Sequence, residues 1–206
     1  MATVILSPHL DDAVLSCWHL LSGTDEVRIV NVFAGVPGGA AGWWDRLTGA
    51  TDARNRMRER RHEDRAALAI VGRDATNLDF MDAQYRSNGD EPSTLEAVLA
   101  HVEPHDTVWV PAALRGHRDH ALVRDAGLAL RDRGHEVAFY ADLPQVGLAA
   151  PPAPLDLRAL RPEPHRLDAG AFERKLMAVG CYATQVAALE RMAPLHELRT
   201  EVTWTP

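Results

Sequence analysis

Short apolar runs alternate with helical patterns along this chain, and this alternation constrains its fold more than any other feature. Two runs, Val4-Ile5-Leu6 near the start and Thr107-Val108-Trp109-Val110-Pro111 in the middle, have the character of buried strands. Such alternation predicts an α/β fold, a Rossmann-like three-layer sandwich with a mostly parallel central sheet. The predicted strands are 3–7, 27–33, 77–81, 107–111 and 136–140. The predicted helices are 13–21, 52–71, 120–133, 171–179 and 183–192, with a further helix that opens with a capping box at 93–96 and ends at 101.

The end of the chain is less regular, but its composition does not indicate a second core. A proline-rich stretch at 151–164 predicts a surface excursion, and 201–204 has the pattern of a final edge strand. A chain of 206 residues is long enough for one α/β domain with a substantial core. We therefore predict a single domain over residues 1–206.

The seven residues Ser7-Pro8-His9-Leu10-Asp11-Asp12-Ala13, after the first predicted strand, carry the strongest functional signal. They place one imidazole and two adjacent carboxylates between a strand and a helix. In open α/β sheets, ligands bind at the carboxyl ends of the strands. A pair of aspartates before a helix can also be only an N-cap with a favourable charge on the helix dipole.

A second polar cluster, Gly116-His117-Arg118-Asp119-His120, follows the middle strand. Because both clusters stand at strand ends, they can meet at one edge of one sheet. Zinc hydrolases use three protein ligands from His, Asp or Glu and leave one position open for water. His9, Asp12 and His120 can supply that set. Asp11 then remains as an unligated base.

With both clusters present, the chain resembles the PIG-L/LmbE-like family of zinc-dependent N-acetylglucosaminyl deacetylases. That family has His-Pro-Asp-Asp after its first strand and His-Pro-Asp-His after a later strand. Here the motifs are His9-Leu10-Asp11-Asp12 and His117-Arg118-Asp119-His120. The resemblance covers most of the chain through further segments: 32–37, Arg60-x-x-Glu63, Asp82, 140–144, and 175–189 with Tyr182 and Gln185.

The resemblance implies a role for each motif residue. The positions that match the zinc ligands are His9, Asp12 and His120. Asp11 matches the general base, and His117 matches the residue that polarises the carbonyl or protonates the leaving amine. Asp119 matches a carboxylate that tunes the neighbouring histidine.

The resemblance also implies substrate contacts. Arg60 and Asp82 match positions that hold sugar hydroxyls. Leu10 and Arg118 replace the two family prolines, which changes the stiffness of the loops but no ligand. Arg115 stands where some deacetylases have a tyrosine that stabilises the oxyanion, so it is a candidate to replace that donor.

The loop at 34–50 follows the second predicted strand and therefore lies at the same edge as the two motifs. Its glycines predict a permissive and poorly anchored backbone. It carries Trp43 and Trp44, whose rings could fill a gap in the core. They could also form a lid that stacks on the substrate and excludes water. We include both among the predicted substrate-binding residues.

Composition limits the possible binding partners of the protein and its cellular compartment. The net charge of −7 argues against a broad nucleic-acid surface. There is no run long enough for a membrane span, and the chain starts with a strand and not a signal peptide. Cys17 and Cys181 are too few for a disulfide framework, which predicts free thiols in a reducing cytoplasm. The sequence leaves homo-oligomerisation open.

The predicted function is removal of an N-acetyl group from an amino sugar such as N-acetylglucosamine, or from a conjugate of one, in a small-molecule or secondary-metabolite intermediate. Two alternatives remain. The adjacent aspartates could bind Mg²⁺ for phosphoryl chemistry, as in receiver-like domains, although imidazoles favour zinc. Such domains usually need a strand-end lysine, and Lys175 lies in a predicted helix. The chain could also be a non-catalytic binding relative, but Asp11 would then have no function.

Overall fold

The fold is a seven-stranded sheet covered by helices. The computed structural model describes residues 2–114, 116–143 and 155–205. Within these ranges the strands are β1 (Thr3–Ser7), β2 (Val27–Asn31), β3 (Ala75–Asn77), β4 (Thr107–Pro111), β5 (Glu136–Tyr140), β6 (Arg161–Arg166) and β7 (Thr200–Thr205). The α-helices are α1 (Asp12–Ser16), α2 (Trp18–Leu21), α3 (Trp43–Leu47), α4 (Ala53–Ala69), α5 (Leu95–Leu99), α6 (Arg118–Asp132), α7 (Ala169–Gly180) and α8 (Val186–Met192).

The strands lie in the order β3-β2-β1-β4-β5-β7-β6. The first five strands along the chain run parallel, whereas β7 is antiparallel to both β5 and β6. The predicted α/β class with a mostly parallel sheet is therefore confirmed. The chain moves outward in opposite directions from β1 and β4, so the carboxyl ends of these two strands form the switch point where ligands bind in open sheets.

Two apolar clusters hold the layers together because alternate residues of each strand face opposite sides. One cluster packs α1, α2 and α7 against the sheet, around Trp18 and Tyr140. The other packs α5 and α6 against the opposite face, around Val123 and Phe139. At Gly127 on α6, a Cβ atom would lie 2.7 Å from the Val110 side chain. This close approach fixes the helix that carries the second motif.

The helix predicted at 13–21 is interrupted at Cys17, and the cause is a carboxylate from the other end of the chain. Glu201 on β7 accepts hydrogen bonds from the backbone N–H of Trp18 at 2.7 Å and of His19 at 2.9 Å. A carboxylate at this position satisfies the free donors of a new helix N-terminus. Glu201 is fully buried and pairs with Lys175 Nζ at 2.6 Å.

Three further predictions about secondary structure are wrong. The third strand, predicted at 77–81, is β3 at Ala75–Asn77. Most of the predicted segment lies after β3 and makes only an isolated bridge to Phe33. The capping box is absent, because Thr94 makes no side-chain capping bond at the start of α5. The last strand is not at the edge. The edge strand is β6, which overlaps the end of the proline-rich stretch, and Pro162 and Pro164 are tolerated there because an edge strand needs fewer N–H donors.

The structure also describes both cysteines and the lengths of the helices. Cys17 is buried and Cys181 partly buried, and both are free, as predicted. Among the described residues, no helix combines the length and the apolar character needed to cross a membrane.

Candidate functional site

Polar side chains from both motifs meet at the switch point of the sheet. The ring centroids of His9 and His120 lie 5.3 Å apart, and those of His9 and His117 lie 5.0 Å apart. The first motif occupies the turn between β1 and α1, and the second opens α6 after β4. The parallel sheet therefore brings together side chains that are more than a hundred residues apart in the chain.

The turn after β1 is held by the Ser7 hydroxyl, and one of its carboxylates caps no helix. Ser7 Oγ donates to the His9 carbonyl at 2.6 Å and accepts from Ala13 N–H at 3.0 Å. Leu10, in place of the family proline, is buried in a small apolar cluster behind the turn. Asp11 occupies the N-cap position of α1, but its side chain makes no capping bond. The N-cap interpretation therefore does not explain the Asp11 carboxylate.

One oxygen of Asp12 stands between two imidazoles. Asp12 Oδ2 lies 3.3 Å from His9 Nδ1 and 3.3 Å from His120 Nε2. It also accepts a hydrogen bond from His9 N–H at 2.7 Å. Potential ligand atoms of these three residues lie within 4.8 Å of one another, so the group can hold a metal ion. A second group of His9, His117 and Asp119 meets the same distance.

Contacts of the ring nitrogens favour the first group. His9 Nε2 lies 2.9 Å from Asp119 Oδ2, and His120 Nδ1 lies 3.0 Å from Asp142 Oδ1. Carboxylates at the far nitrogen orient ligating histidines and fix their tautomer. In the second group, Asp119 is already engaged by Arg86 at 2.8 Å as well as by His9. The geometry therefore points to His9, Asp12 and His120 as the candidate metal centre.

Charges in the site suit a cation. Burial opposes the charged form of His9, but nearby carboxylates, Asp82 foremost, outweigh burial and raise its pKa well above the usual value. Burial also opposes the charged form of His120, but Asp12 above all raises its pKa to about 10. The two imidazoles in turn outweigh burial and hold the pKa of Asp12 well below its usual range. A divalent cation can replace the two positive charges that these carboxylates stabilise.

Asp11 lies beside this group without joining it. Its Oδ1 is 3.9 Å from Arg60 Nη2, and Arg60 Nη1 is 3.3 Å from Asp82 Oδ2. All three side chains are buried, and α4 supplies the arginine. Burial and the charge of Asp12 raise the pKa of Asp11, while Arg60 opposes the shift. A buried carboxyl with a raised pKa in a cleft is suited to exchange protons.

His117 caps the start of α6. Its Nδ1 accepts a long hydrogen bond from Asp119 N–H at 3.3 Å, so the neutral ring carries its proton on Nε2. Although His117 is exposed, partial desolvation and the positive charges of His9 and His120 lower its pKa to about 4. The ring is therefore neutral at pH 7 and can donate a hydrogen bond. Arg115, the other predicted donor, lies outside the described residues.

These side chains line a cavity of about 320 Å³. The rest of the lining is mostly apolar and includes Leu15, Trp44, Leu143, Leu189 and Met192. A volume of this order and a mainly apolar lining with a few convergent polar groups are typical of small-molecule sites. The cavity thus combines a candidate metal centre with room for an organic substrate.

The 34–50 loop is anchored, so the expectation of a poorly anchored backbone is wrong. It contains α3, where the buried Asp45 accepts hydrogen bonds from Gly42 N–H at 3.0 Å and Tyr85 Oη at 2.7 Å. Trp44 Nε1 donates to Gln185 Oε1 at 2.6 Å. Trp43 is 57% exposed and Trp44 is half-buried, so the two rings do not together fill a gap in the core. Both rings line the cavity.

Sequence reasoning assigns no role to Asp142 and Arg86, which contact site residues, or to Asp64, which is connected to the first motif through Tyr182. A signal was available for Asp142, because it stands two residues after the end of β5 and so at the same edge of the sheet. The other two had no signal. Arg86 follows a short 3-10 turn, and Asp64 is one of many charged residues on α4.

The chain is similar to a known protein family and to proteins named as deacetylases. The family model described as PIG-L, GlcNAc-PI de-N-acetylase, matches residues 4–130. The chain is 32% identical over 166 residues to the 2'-N-acetylparomamine deacetylase of Streptomyces fradiae, and the match covers 70% of this chain but only 58% of that protein. A second protein of the same description, from Niallia circulans, is 26% identical over 184 residues, with 69% of this chain and 67% of that protein covered.

Among solved structures, the A40926 pseudoaglycone deacetylase is 31% identical, with a TM-score of 0.81 over 99% of this chain and 96% of that one. These relatives are deacetylases by name. The family match includes both the first and the second motif. The resemblance inferred from the two motifs is therefore confirmed, and the chain belongs to the PIG-L family of de-N-acetylases.

Proposed function

We propose that the protein is a zinc-dependent hydrolase that removes the N-acetyl group of an amino sugar in a small-molecule or secondary-metabolite intermediate. The observation that carries this proposal is the position of Asp12 Oδ2, 3.3 Å from both His9 Nδ1 and His120 Nε2. Beside it stands Asp11, a carboxylate that caps no helix. The relatives named for N-acetylparomamine and for a pseudoaglycone support the substrate class.

His9, Asp12 and His120 hold the metal in this proposal. Imidazole and carboxylate donors suit zinc better than Mg²⁺. When bound, zinc lowers the pKa of water to about 7 and polarises an acyl oxygen. Asp119 and Asp142 keep the two imidazole rings oriented through their far nitrogens.

Asp11 and His117 accept and donate the protons of the reaction in this proposal. Asp11 accepts the proton that the attacking water loses, as a general base. The Nε2–H of His117 donates to the acyl oxygen as negative charge develops there. As the C–N bond breaks, the leaving nitrogen takes a proton from Asp11 or His117. The products are acetate and a free amine.

The remaining predicted residues bind the substrate. Arg60 and Asp82 present a guanidinium and a carboxylate that are buried at the wall of the cavity, and both can bond to sugar hydroxyls. Trp43 and Trp44 offer aromatic surfaces to the apolar face of a sugar ring. We further propose that residues 1–206 work as one domain, in the cytoplasm.

One experiment tests the function directly. Purified protein, with and without added zinc, is incubated with N-acetylglucosamine, 2'-N-acetylparomamine, A40926 pseudoaglycone and GlcNAc-phosphatidylinositol, and released amine is measured. We expect release from at least one of the first three compounds and none from metal-free protein. His120→Ala should lose both zinc and activity, while the exposed His62→Ala, the matched control, keeps both.

The same experiment separates the alternatives. Binding of Mg²⁺ without zinc would favour phosphoryl chemistry. Zinc binding without turnover of any compound would favour a non-catalytic relative or another amide. Zinc content that is unchanged in His120→Ala would contradict the ligand assignment.

A further inference from the structure

A buried carboxyl group next to the site has no role in the proposed reaction. Asp64 on α4 is 3% exposed. Its Oδ2 accepts a hydrogen bond from Asn31 Nδ2 at 2.8 Å, and its Oδ1 lies 2.9 Å from Tyr182 Oη. Across the described part of the chain, no basic side chain forms a salt bridge with Asp64, since Arg60 on the same helix pairs with other carboxylates. The group therefore has two neutral partners and no cation of its own.

Tyr182 connects Asp64 to the turn of the first motif. Tyr182 Oη lies 3.1 Å from the carbonyl oxygen of Leu10, the residue between His9 and Asp11. A hydroxyl has one hydrogen, but this oxygen is close to two possible acceptors. If Asp64 is ionised, one of the two contacts has no hydrogen. If Asp64 is protonated, it donates to Tyr182, and Tyr182 donates to the Leu10 carbonyl. Each of the two contacts then has its own hydrogen.

We propose that Asp64 is a protonated carboxylic acid that donates to Tyr182 and, through the Tyr182 hydroxyl, fixes the Leu10 carbonyl. It is thus a positioning residue for the turn that carries His9 and Asp11. The protonation state of Asp64 is inferred from its contacts and does not depend on the proposed function. The consequence for catalysis rests on the proposed function.

The groups that face Asp64 agree with a neutral carboxyl. Asp11, from the turn after β1, adds negative charge, and Arg60 opposes it from the same helix. Asn31 at the end of β2 and Tyr182 after α7 are uncharged hydrogen-bond partners. Burial outweighs these two hydrogen bonds and raises the pKa of Asp64 to about 7. Ionisation in this place would add a further negative charge beside the carboxylates of the site.

Replacement by asparagine tests the protonation state through stability. In Asp64→Asn, the amide can donate to Tyr182 and accept from Asn31, as the protonated acid does. The wild-type carboxyl titrates near its usual 3.8 in the unfolded chain and at about 7 in the folded protein. The unfolded chain therefore binds fewer protons between these values, and the stability of the wild type falls as the pH rises through them. Asparagine does not titrate.

We therefore expect the Tm of Asp64→Asn, relative to wild type, to rise by about 5 °C or more between about pH 4 and pH 8. Asp132→Asn, which replaces an exposed carboxylate on α6, is the control and should show no such trend. A Tm difference that stays constant over this range would mean that Asp64 is ionised in the folded protein, and would overturn the proposal.

Activity and zinc content test the positioning role. Asp64→Asn should keep at least about half of the wild-type kcat and its zinc. Asp64→Ala and Tyr182→Phe should lose about tenfold or more in kcat with KM little changed, since small displacements at a reacting centre are costly. If Asp64→Ala does not fold, Tyr182→Phe still decides the comparison. Equal losses in Asp64→Asn and Tyr182→Phe would overturn the positioning role. If wild type turns over no substrate, the proposed function fails, but the Tm comparison still decides the protonation state.

Discussion

Asp142 Oδ1 lies 3.0 Å from His120 Nδ1, and Oδ2 of the same carboxylate accepts a hydrogen bond from Leu114 N–H at 2.7 Å. One side chain thus orients the imidazole and ties it to the loop after β4. Without it, the ring of His120 is free to turn away from Asp12. We expect Asp142→Ala to weaken zinc binding by about 10–100-fold, as for other carboxylates behind metal ligands.

Competition with a chromogenic chelator measures this affinity. Asp142→Asn should recover part of it, because the amide oxygen can still accept from His120 Nδ1–H. The exposed Asp132→Asn serves as the control and should bind zinc like the wild type. Wild-type affinity in Asp142→Ala would show that other contacts fix the ring.

Asp11→Asn should abolish most of the hydrolysis while the zinc content and the Tm stay near wild type. Asp11 makes no capping bond and lies beside the candidate ligands rather than among them. Its Oδ1 is 3.9 Å from Arg60 Nη2, so its loss removes a base and only a long ion pair. A general base typically contributes about 10²–10⁴-fold to the rate. Near-wild-type turnover would mean that another residue deprotonates the water.

His117→Ala should also slow the reaction by about 10²-fold or more, with zinc still bound, because the variant loses a donor to the developing charge. Its pKa of about 4 means that the wild-type ring stays neutral from about pH 5 upward, so its titration should not limit the rate at neutral pH. Zinc content and kcat are measured on the same preparation. A loss of zinc in this variant would mean that His117 is a ligand.

Parts of the fold and of the site could be predicted because local sequence determines them. The strands β1, β4 and β5 have the predicted bounds, since buried parallel strands appear as continuous apolar runs. The meeting of the two motifs follows from the parallel sheet. The ligand roles stay predictions, although the geometry brings His9, Asp12 and His120 within reach of one ion.

Other features could not be predicted because they depend on contacts between distant segments. The break at Cys17 comes from Glu201, and the edge strand β6 exists only because β7 pairs with it. Likewise, glycines indicate a permissive backbone in the 34–50 loop, but Trp44 is held by Gln185, 141 residues further along the chain. No local pattern reports such partners.

The two tryptophans of α3 should respond differently to substitution. Trp43 is 57% exposed at the cavity, so Trp43→Ala should raise KM or change substrate preference with the Tm nearly intact. Trp44 is half-buried and bonded to Gln185, so Trp44→Ala should also lower the Tm by about 2–4 °C or more. Leu47→Ala, exposed on the same helix, is the control. Equal Tm losses in both tryptophan variants would contradict this division.

The buried pair Lys175–Glu201 should make a large contribution to stability where β7 packs against α2 and α7. Burial disfavours the charged form of Glu201, but Lys175 and then His19 outweigh it and lower its pKa to about 2. Stability from this group is therefore fully present above the usual value of 4.5 and is lost as the pH falls toward 2. Glu201→Gln leaves Lys175 as an uncompensated buried charge and removes a carboxylate from the start of α2.

We expect Glu201→Gln to cost about 3–5 kcal/mol in the free energy of unfolding at pH 7, measured by urea denaturation. The difference from wild type should shrink as the pH falls from about 5 toward 2, because the wild type then loses the same charge. Glu197→Gln, exposed in the turn before β7, should have almost no effect. A Glu201→Gln protein as stable as Glu197→Gln at pH 7 would show that the buried ion pair and the cap on α2 are not what holds β7 against α2 and α7.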